Sequence, residues 1–129
     1  VSGHEDVVEV ARRILAARRR RQRYLPAELL GEPAWDLLLD LLVSQSEGRE
    51  VPLKDACIAS GVPATTAMRC LEGLRSKGLV DHTPDPVDRR RKLLVLTPSG
   101  EERIRRAVLD CLPQTSEAGG RGVPKAKAA

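Results

Sequence analysis

Apolar residues recur at helical spacing through residues 5–22. Val7, Val10, Ala11, Ile14 and Leu15 form a thin stripe there, while Arg12, Arg13 and Arg18 to Arg21 crowd the remaining surface. The pattern predicts an amphipathic helix that packs against the body of its own domain or against the same helix of a second chain. Pro26, Gly31 and Pro33 then break the chain around a single short helical turn. In PAWDLLLDLLVSQ, residues 33–45, proline occupies the first-turn position it tolerates. Trp35, Leu38, Leu39 and Leu42 follow on one face, broadened by Leu37 and Leu41, and make this the strongest core helix of the sequence.

The elements become shorter after residue 46. VPL at 51–53 predicts a short edge strand, since Pro52 has no N–H to give to a ladder. Leu53 to Ser60 reads as a short helix closed by Gly61, and Pro63 opens another whose inner face is Ala67, Leu71 and Leu74, ending at Gly78. Two short helices joined at Gly61 and Val62 spell helix–turn–helix. LVDHT and KLLVLT then read as a β-hairpin around a charged loop. Thr97 is placed to cap a last helix, with Pro98 in its first turn, Glu101 and Glu102 near its positive end, and Ile104, Val108, Cys111 and Leu112 as its stripe. The order predicts a mainly α fold with a small β-hairpin, a winged helix. It divides into an Arg-rich helix at 1–23, a winged helix-turn-helix unit at 24–97 and a C-terminal helix at 98–112. Residues 113–129, rich in Gly, Pro, Ala and Lys, are expected to be disordered.

Composition narrows the function. The 129 residues suffice for one ordinary core and not for two. A net charge of +4 permits a polyanionic partner without demanding one, so the clustering of arginine at 12–23 and 89–91 carries more information than the sum. One Tyr, one Trp and no Phe argue against a base-stacking surface for single strands and against an aromatic-lined ligand pocket. Cys57, Cys70 and Cys111 have no metal-ligand spacing and read as small apolar residues, with a thiol redox sensor as the sharper alternative. An odd cysteine count, no leader and no apolar run long enough for a bilayer predict a cytoplasmic protein with no membrane contact. His4 and His82 stand without metal-ligand partners. No nucleophile–base arrangement, phosphate-cradling glycine loop or carboxylate pair points to an enzyme, and no cofactor is implied.

Four consecutive basic residues, Arg89 to Lys92, lie between the two strands, with Asp81, Asp85 and Asp88 just upstream. Alone, such a loop reads as a solvated turn with weak ion pairs. Directly after a helix–turn–helix it reads as a wing, because guanidinium pairs bidentately with phosphate and favours the narrow, negative minor groove. Asp88 and Arg90 project to one side of an extended segment, so the carboxylate can hold the guanidinium in one orientation.

SKGLVDHTPDPVDRRRKLLVLTPSG, residues 76–100, resembles the wing signature of the MarR family of bacterial transcriptional regulators. Lys77, Gly78, Leu79, Val80, Asp85, Pro86, Asp88, Arg89, Arg90, Leu96, Thr97 and Gly100 fill that pattern, and the likeness is dense over residues 33–100. The resemblance implies a winged helix-turn-helix with N- and C-terminal dimerisation helices, a homodimer, and double-stranded DNA as partner. It also implies that Asp88 and Arg90 pair and that the arginine enters the minor groove, with Arg89 and Arg91 serving the same wing. Recognition helices of this family carry small polar residues and an arginine ahead of an L-x-x-L pair, here Ala64, Thr65, Thr66, Met68 and Arg69 ahead of Leu71 and Leu74.

Arg69 suits the O6 and N7 of guanine, and threonine methyls suit thymine. The bland alternative is that Thr65 and Thr66 only cap and that Arg69 is solvated. Arg75 and Lys77, near the helix end, suit phosphate. The N-terminal arginines could grip phosphates, bind RNA or an acidic protein, or form a solvated face. By resemblance, Val7, Val10, Ile14, Ile104, Val108 and Leu112 would build the dimer interface. Two departures from the family bear on a small-molecule effector, which stays open: only one helix follows the wing, and the Arg-rich helix at residues 12–23 exceeds the family's ordinary basic content; few aromatics remain to line a pocket. Two other readings stay open: a winged-helix adaptor that binds protein, and, since the chain starts at Val1 without Met, one DNA-binding unit of a larger regulator.

Overall fold

A computed structural model describes residues 3–112; the expected disordered tail at 113–129 lies outside the described residues. The chain forms α1 (Gly3–Arg21), α2 (Ala27–Leu30), α3 (Pro33–Ser46), β1 (Val51–Pro52), α4 (Leu53–Ala59), α5 (Ala64–Ser76), β2 (Val80–Pro84), β3 (Lys92–Leu96) and α6 (Pro98–Asp110). The expected hairpin is β2 and β3, paired antiparallel from Val80 opposite Leu96 to Pro84 opposite Lys92. The strand expected at 51–53 adds to it, with Val51 opposite Leu94, so the sheet has three strands in the order β1-β3-β2.

α3 is the hub, touching α1, α5, α6 and β3. That explains why a single inner face describes it too narrowly. Leu37, Leu39, Leu41, Leu42 and Val43 are all buried, whereas Trp35 and Leu38, expected on the inner face, are only partly so. A helix covered on most sides has no single apolar stripe to read. α1 lays Val7, Ala11 and Leu15 on this hub, and Val8 is buried with them. α5 contributes Ala67, Leu71 and Leu74, as expected, and the sheet adds Val80, Leu94 and Leu96. From α6, Ile104 and Val108 complete the core at 2% and 0% exposure. Val7, Ile104 and Val108 are therefore spent inside the chain and are not free for a dimer interface, contrary to the expectation; Val10 and Ile14 are partly buried against the same core.

Two junctions between elements are held by side chains. The turn from α2 to α3 puts Gly31 at φ 57° and Glu32 at φ 69°, a left-handed backbone that glutamate rarely adopts. Arg18 holds it, with Nη2 donating to the Gly31 carbonyl at 3.1 Å and Nη1 lying 3.2 Å from the Glu32 carboxylate, while its Nε bonds Asp36. At the other junction Thr97 caps α6 as expected, accepting the Gly100 N–H at 2.9 Å. The same hydroxyl donates to the Gly78 carbonyl at 2.6 Å, tying the start of α6 to the end of α5.

Candidate nucleic-acid interface

Between α4 and α5 the chain turns at Gly61, whose φ of 74° needs glycine, and enters α5 through Pro63. Neither threonine caps the helix, since no side chain accepts from its first turn. Ala64, Thr65, Thr66, Met68 and Arg69 are all exposed, opposite the buried Ala67, Leu71 and Leu74. Apolar residues at 67, 71 and 74 recur once per turn, so they fix one face inward and turn the polar set outward. Arg69 makes no ion pair among the described residues, so its five donors face solvent. Met68 is less free, because the Cys57 thiol of α4 lies 3.6 Å from its sulfur.

The phosphate candidates separate. Lys77 is exposed and has no acid beside it among the described residues. Arg75 lies 3.5 Å from Asp81 and 3.7 Å from Glu72, so its charge is partly met within the chain. The His82 N–H, and then Arg75, lower the Asp81 pKa below its ordinary value.

The wing loop is closed by its own backbone. Asp85 N–H donates to the Arg91 carbonyl at 3.0 Å, and Arg91 N–H to the Asp88 carbonyl at 2.9 Å. Arg90 meets Asp88 through Nε to Oδ1 at 3.1 Å and Nη2 to Oδ2 at 3.3 Å, and its own N–H also donates to Oδ1 at 3.1 Å. That side-chain hydrogen bond, with the backbone one behind it, holds the Asp88 carboxyl below its usual pKa. The guanidinium is held in place while the Arg90 side chain stays 91% exposed. Arg89 is exposed without an ion pair among the described residues. Arg91 differs, because its guanidinium lies 3.5 Å from Asp85.

Sequence reasoning missed the role of Asp85. It is only 5% exposed, and its Oδ1 accepts the Val87 N–H at 2.8 Å while Oδ2 faces Arg91. The signal was present, since an aspartate before proline commonly accepts the N–H two residues on. Val87, at 93% exposure, stands at the tip this turn creates.

The N-terminal arginines do not form one basic face; the structure splits them. Arg12 bonds Glu47 at 2.8 Å and Glu9 at 2.9 Å, and Arg19 lies 3.7 Å from Asp40. With Arg18, these residues link α1 to α3 and its end, so their charge is partly met within the chain. Cys57 and Cys70 are free and half-buried, and burial pushes both thiols above their ordinary pKa, which suits the apolar reading. An open cavity of about 340 Å³ lies between the end of α3 and the sheet, with no aromatic residue in its lining. Among the described residues no group of three His, Cys, Asp or Glu side chains could hold a metal, and no helix is long and apolar enough to cross a membrane.

Residues 36–100, from α3 to the first turn of α6, match the family model described as winged helix DNA-binding domain. The chain belongs to the winged helix DNA-binding domain family. Solved structures resemble it as well. It is similar to S. aureus MepR in the DNA-binding conformation, at 22% identity over 74% of this chain and 66% of that one, with a TM-score of 0.54. The PcaV transcriptional regulator from Streptomyces coelicolor, solved with its natural ligand, is 26% identical over 78% and 67%, with a TM-score of 0.51. A transcriptional regulator from Thermotoga maritima is 24% identical over 79% and 66%, with a TM-score of 0.52. These neighbours bear out the MarR resemblance carried by the wing. The matched model describes a DNA-binding domain. The chain spans 60% of the length of a MepR mutant from a multidrug-resistant S. aureus clinical isolate, and about two thirds of the three structures above. No curated protein matches it.

Proposed function

We propose that this winged helix acts as the DNA-binding unit of a MarR-type transcriptional regulator. α5 enters the major groove and the wing reaches the minor groove or adjoining backbone. The observation that carries this reading is the pairing of an outward face on α5, with Arg69 free of any acid among the described residues, and Arg90 held by Asp88 on the wing. Arg69 reads one base edge, with Thr65 and Thr66 beside it. Lys77 and Arg89 neutralise phosphates, and Arg91 acts chiefly by bracing the loop through Asp85. The polar, neutral-to-basic face of residues 63–69 favours DNA over a protein-binding adaptor, which would be apolar or acidic there.

The chain works as a homodimer in this reading, so that two recognition helices meet one DNA turn apart on a pseudo-palindrome. The large apolar residues left exposed for the interface in and just after α6 are Leu109 and Leu112, at 44% and 36% exposure. The experiment is in vitro selection of a duplex from a random pool, followed by salt-titrated binding of the wild type, Arg69→Ala and Arg90→Ala. Arg69→Ala relaxes preference at one base pair by roughly 1–3 kcal/mol, while Arg90→Ala weakens binding across sequences. Binding that neither substitution changes refutes the mechanism.

A further inference from the structure

We infer that the C-terminal end of α1 is a second phosphate-binding surface, centred on Arg21 and flanked by Arg20 and Arg23, at the end of the recognition helix opposite the one the wing adjoins. The inference rests on the DNA-binding reading above and extends its footprint.

Its first support is the fate of the charges in α1. Arg12, Arg18 and Arg19 have carboxylate partners on or beside α3, and Arg13 lies 3.5 Å from Glu9. Arg20, Arg21 and Arg23 are exposed and have no ion pair among the described residues. The basic run therefore divides into a structural part and an unsatisfied part, and the unsatisfied part is concentrated at residues 20–23. Like charges so close repel one another, which a bound polyanion relieves.

The second support is position. Arg18, Arg21 and Gln22 share a shallow surface depression with Ser60 and Val62, the turn that leads into α5. Asp36 also lines it, but that carboxylate is engaged by Arg18, so Arg21 contributes the uncompensated charge. α5 thus starts beside Arg21 and ends beside the wing, where Arg75 lies 3.5 Å from Asp81 of β2. A duplex laid on the outward face of α5 meets arginine at both ends of that helix. Guanidinium suits the task because it pairs with phosphate bidentately and keeps its charge at any working pH.

The test uses the selected duplex and the variant R20Q/R21Q/R23Q, whose melting temperature should match the wild type because none of the three side chains is engaged within the described chain. Two readouts are taken: the slope of log affinity against log salt, and phosphate ethylation interference. The slope should fall in magnitude by about one to three, near 0.9 for each phosphate that the variant no longer neutralises. One cluster of interfering phosphates should vanish while the cluster assigned to the wing by Arg90→Ala persists. An unchanged slope with the same interfering phosphates overturns the inference, even where Arg90→Ala and Arg69→Ala behave as expected. A uniform loss of affinity with no cluster removed also overturns it, because it marks a general field effect rather than direct pairing. Binding insensitive to Arg69→Ala and Arg90→Ala refutes the DNA-binding mechanism instead.

Discussion

Gly100 lies against the backbone of Leu79 so closely that a Cβ built on it would fall 1.9 Å from the Leu79 carbonyl oxygen and 2.8 Å from its carbon. Leu79 is the residue that leads from α5 into β2, and its carbonyl also accepts the Thr97 N–H at 3.1 Å. α6 therefore docks its first turn on the junction between α5 and β2, and only glycine permits the approach. The obstacle is backbone rather than the end of a flexible side chain, so relief requires a shift of α6 itself. Gly100→Ala is expected to cost about 3 kcal/mol. Urea unfolding measures it, and a loss below about 0.5 kcal/mol, the range of a neutral surface change, would show that the junction is looser than its geometry.

Arg18, in the last turn of α1, is the partly buried member of the basic run. Its side chain is only 14% exposed and serves Asp36, Glu32 and the Gly31 carbonyl together. Removing it leaves the largely buried Asp36 carboxylate unpaired and releases the left-handed turn at Glu32. Arg18→Ala should lose about 2 kcal/mol of stability by denaturant titration. Arg20→Ala, two residues away on the exposed side, should stay within about 0.5 kcal/mol of the wild type. Equal effects of the two would refute the division of the basic run.

The elements themselves were legible in the sequence because local rules agree there. Pro33, Gly61, Pro63, Gly78 and Thr97 mark boundaries, and Ala67, Leu71 and Leu74 have one clear face. The Asp88–Arg90 pair was legible too, since the two residues lie so close along the chain. Contacts between elements were not. Nothing local distinguishes Arg18, which is partly buried against an aspartate 18 residues on, from Arg20, which is exposed. The same holds for Val7, Ile104 and Val108, whose helical stripes fit a dimer interface or a core equally well until the packing of α1 on α6 is known.

Ser44 offers a gain of stability. It is 1% exposed in the middle of the core, and its Oγ has no hydrogen-bond partner among the described residues. Burying a hydroxyl unpaired costs free energy, and alanine is also the better helix former. Ser44→Ala should stabilise the chain by about 1 kcal/mol and raise the melting temperature. A fall in that temperature would mean that the hydroxyl has a partner after all.

The three thiols should separate by reactivity. Cys111 is exposed, whereas burial raises the pKa of Cys57 and Cys70 and so reduces their thiolate at any given pH. Alkylation followed by mass mapping near neutral pH should modify Cys111 first. Modification of Cys57 and Cys70 should accelerate only at more alkaline pH than for an unhindered cysteine. Early labelling of Cys57, or a Cys57–Cys70 disulfide on non-reducing electrophoresis after mild peroxide, would revive the redox-sensor reading.

Asp88 gives the sharpest test of the wing, because two accounts of it predict opposite signs. If the carboxylate merely cancels positive charge, Asp88→Asn removes a repulsive group and DNA binds more tightly. If it orients Arg90 through the bonds from Nε and Nη2, asparagine leaves only one acceptor oxygen and the guanidinium loses its fixed pose. The geometry supports the second account, so Asp88→Asn should bind several-fold more weakly with a nearly unchanged melting temperature. The pH dependence has a definite direction as well. The folded-state pKa of Asp88 lies below its ordinary 3.8, with the Arg90 side-chain bond as the leading cause. A depressed carboxylate pKa contributes stability that is present above the unfolded value and lost as pH falls through the folded one. The midpoint of the Arg90 Hε titration in the free protein should therefore lie below that of an unpaired aspartate. A midpoint at or above that of an unpaired aspartate would show that the pair does not persist in solution.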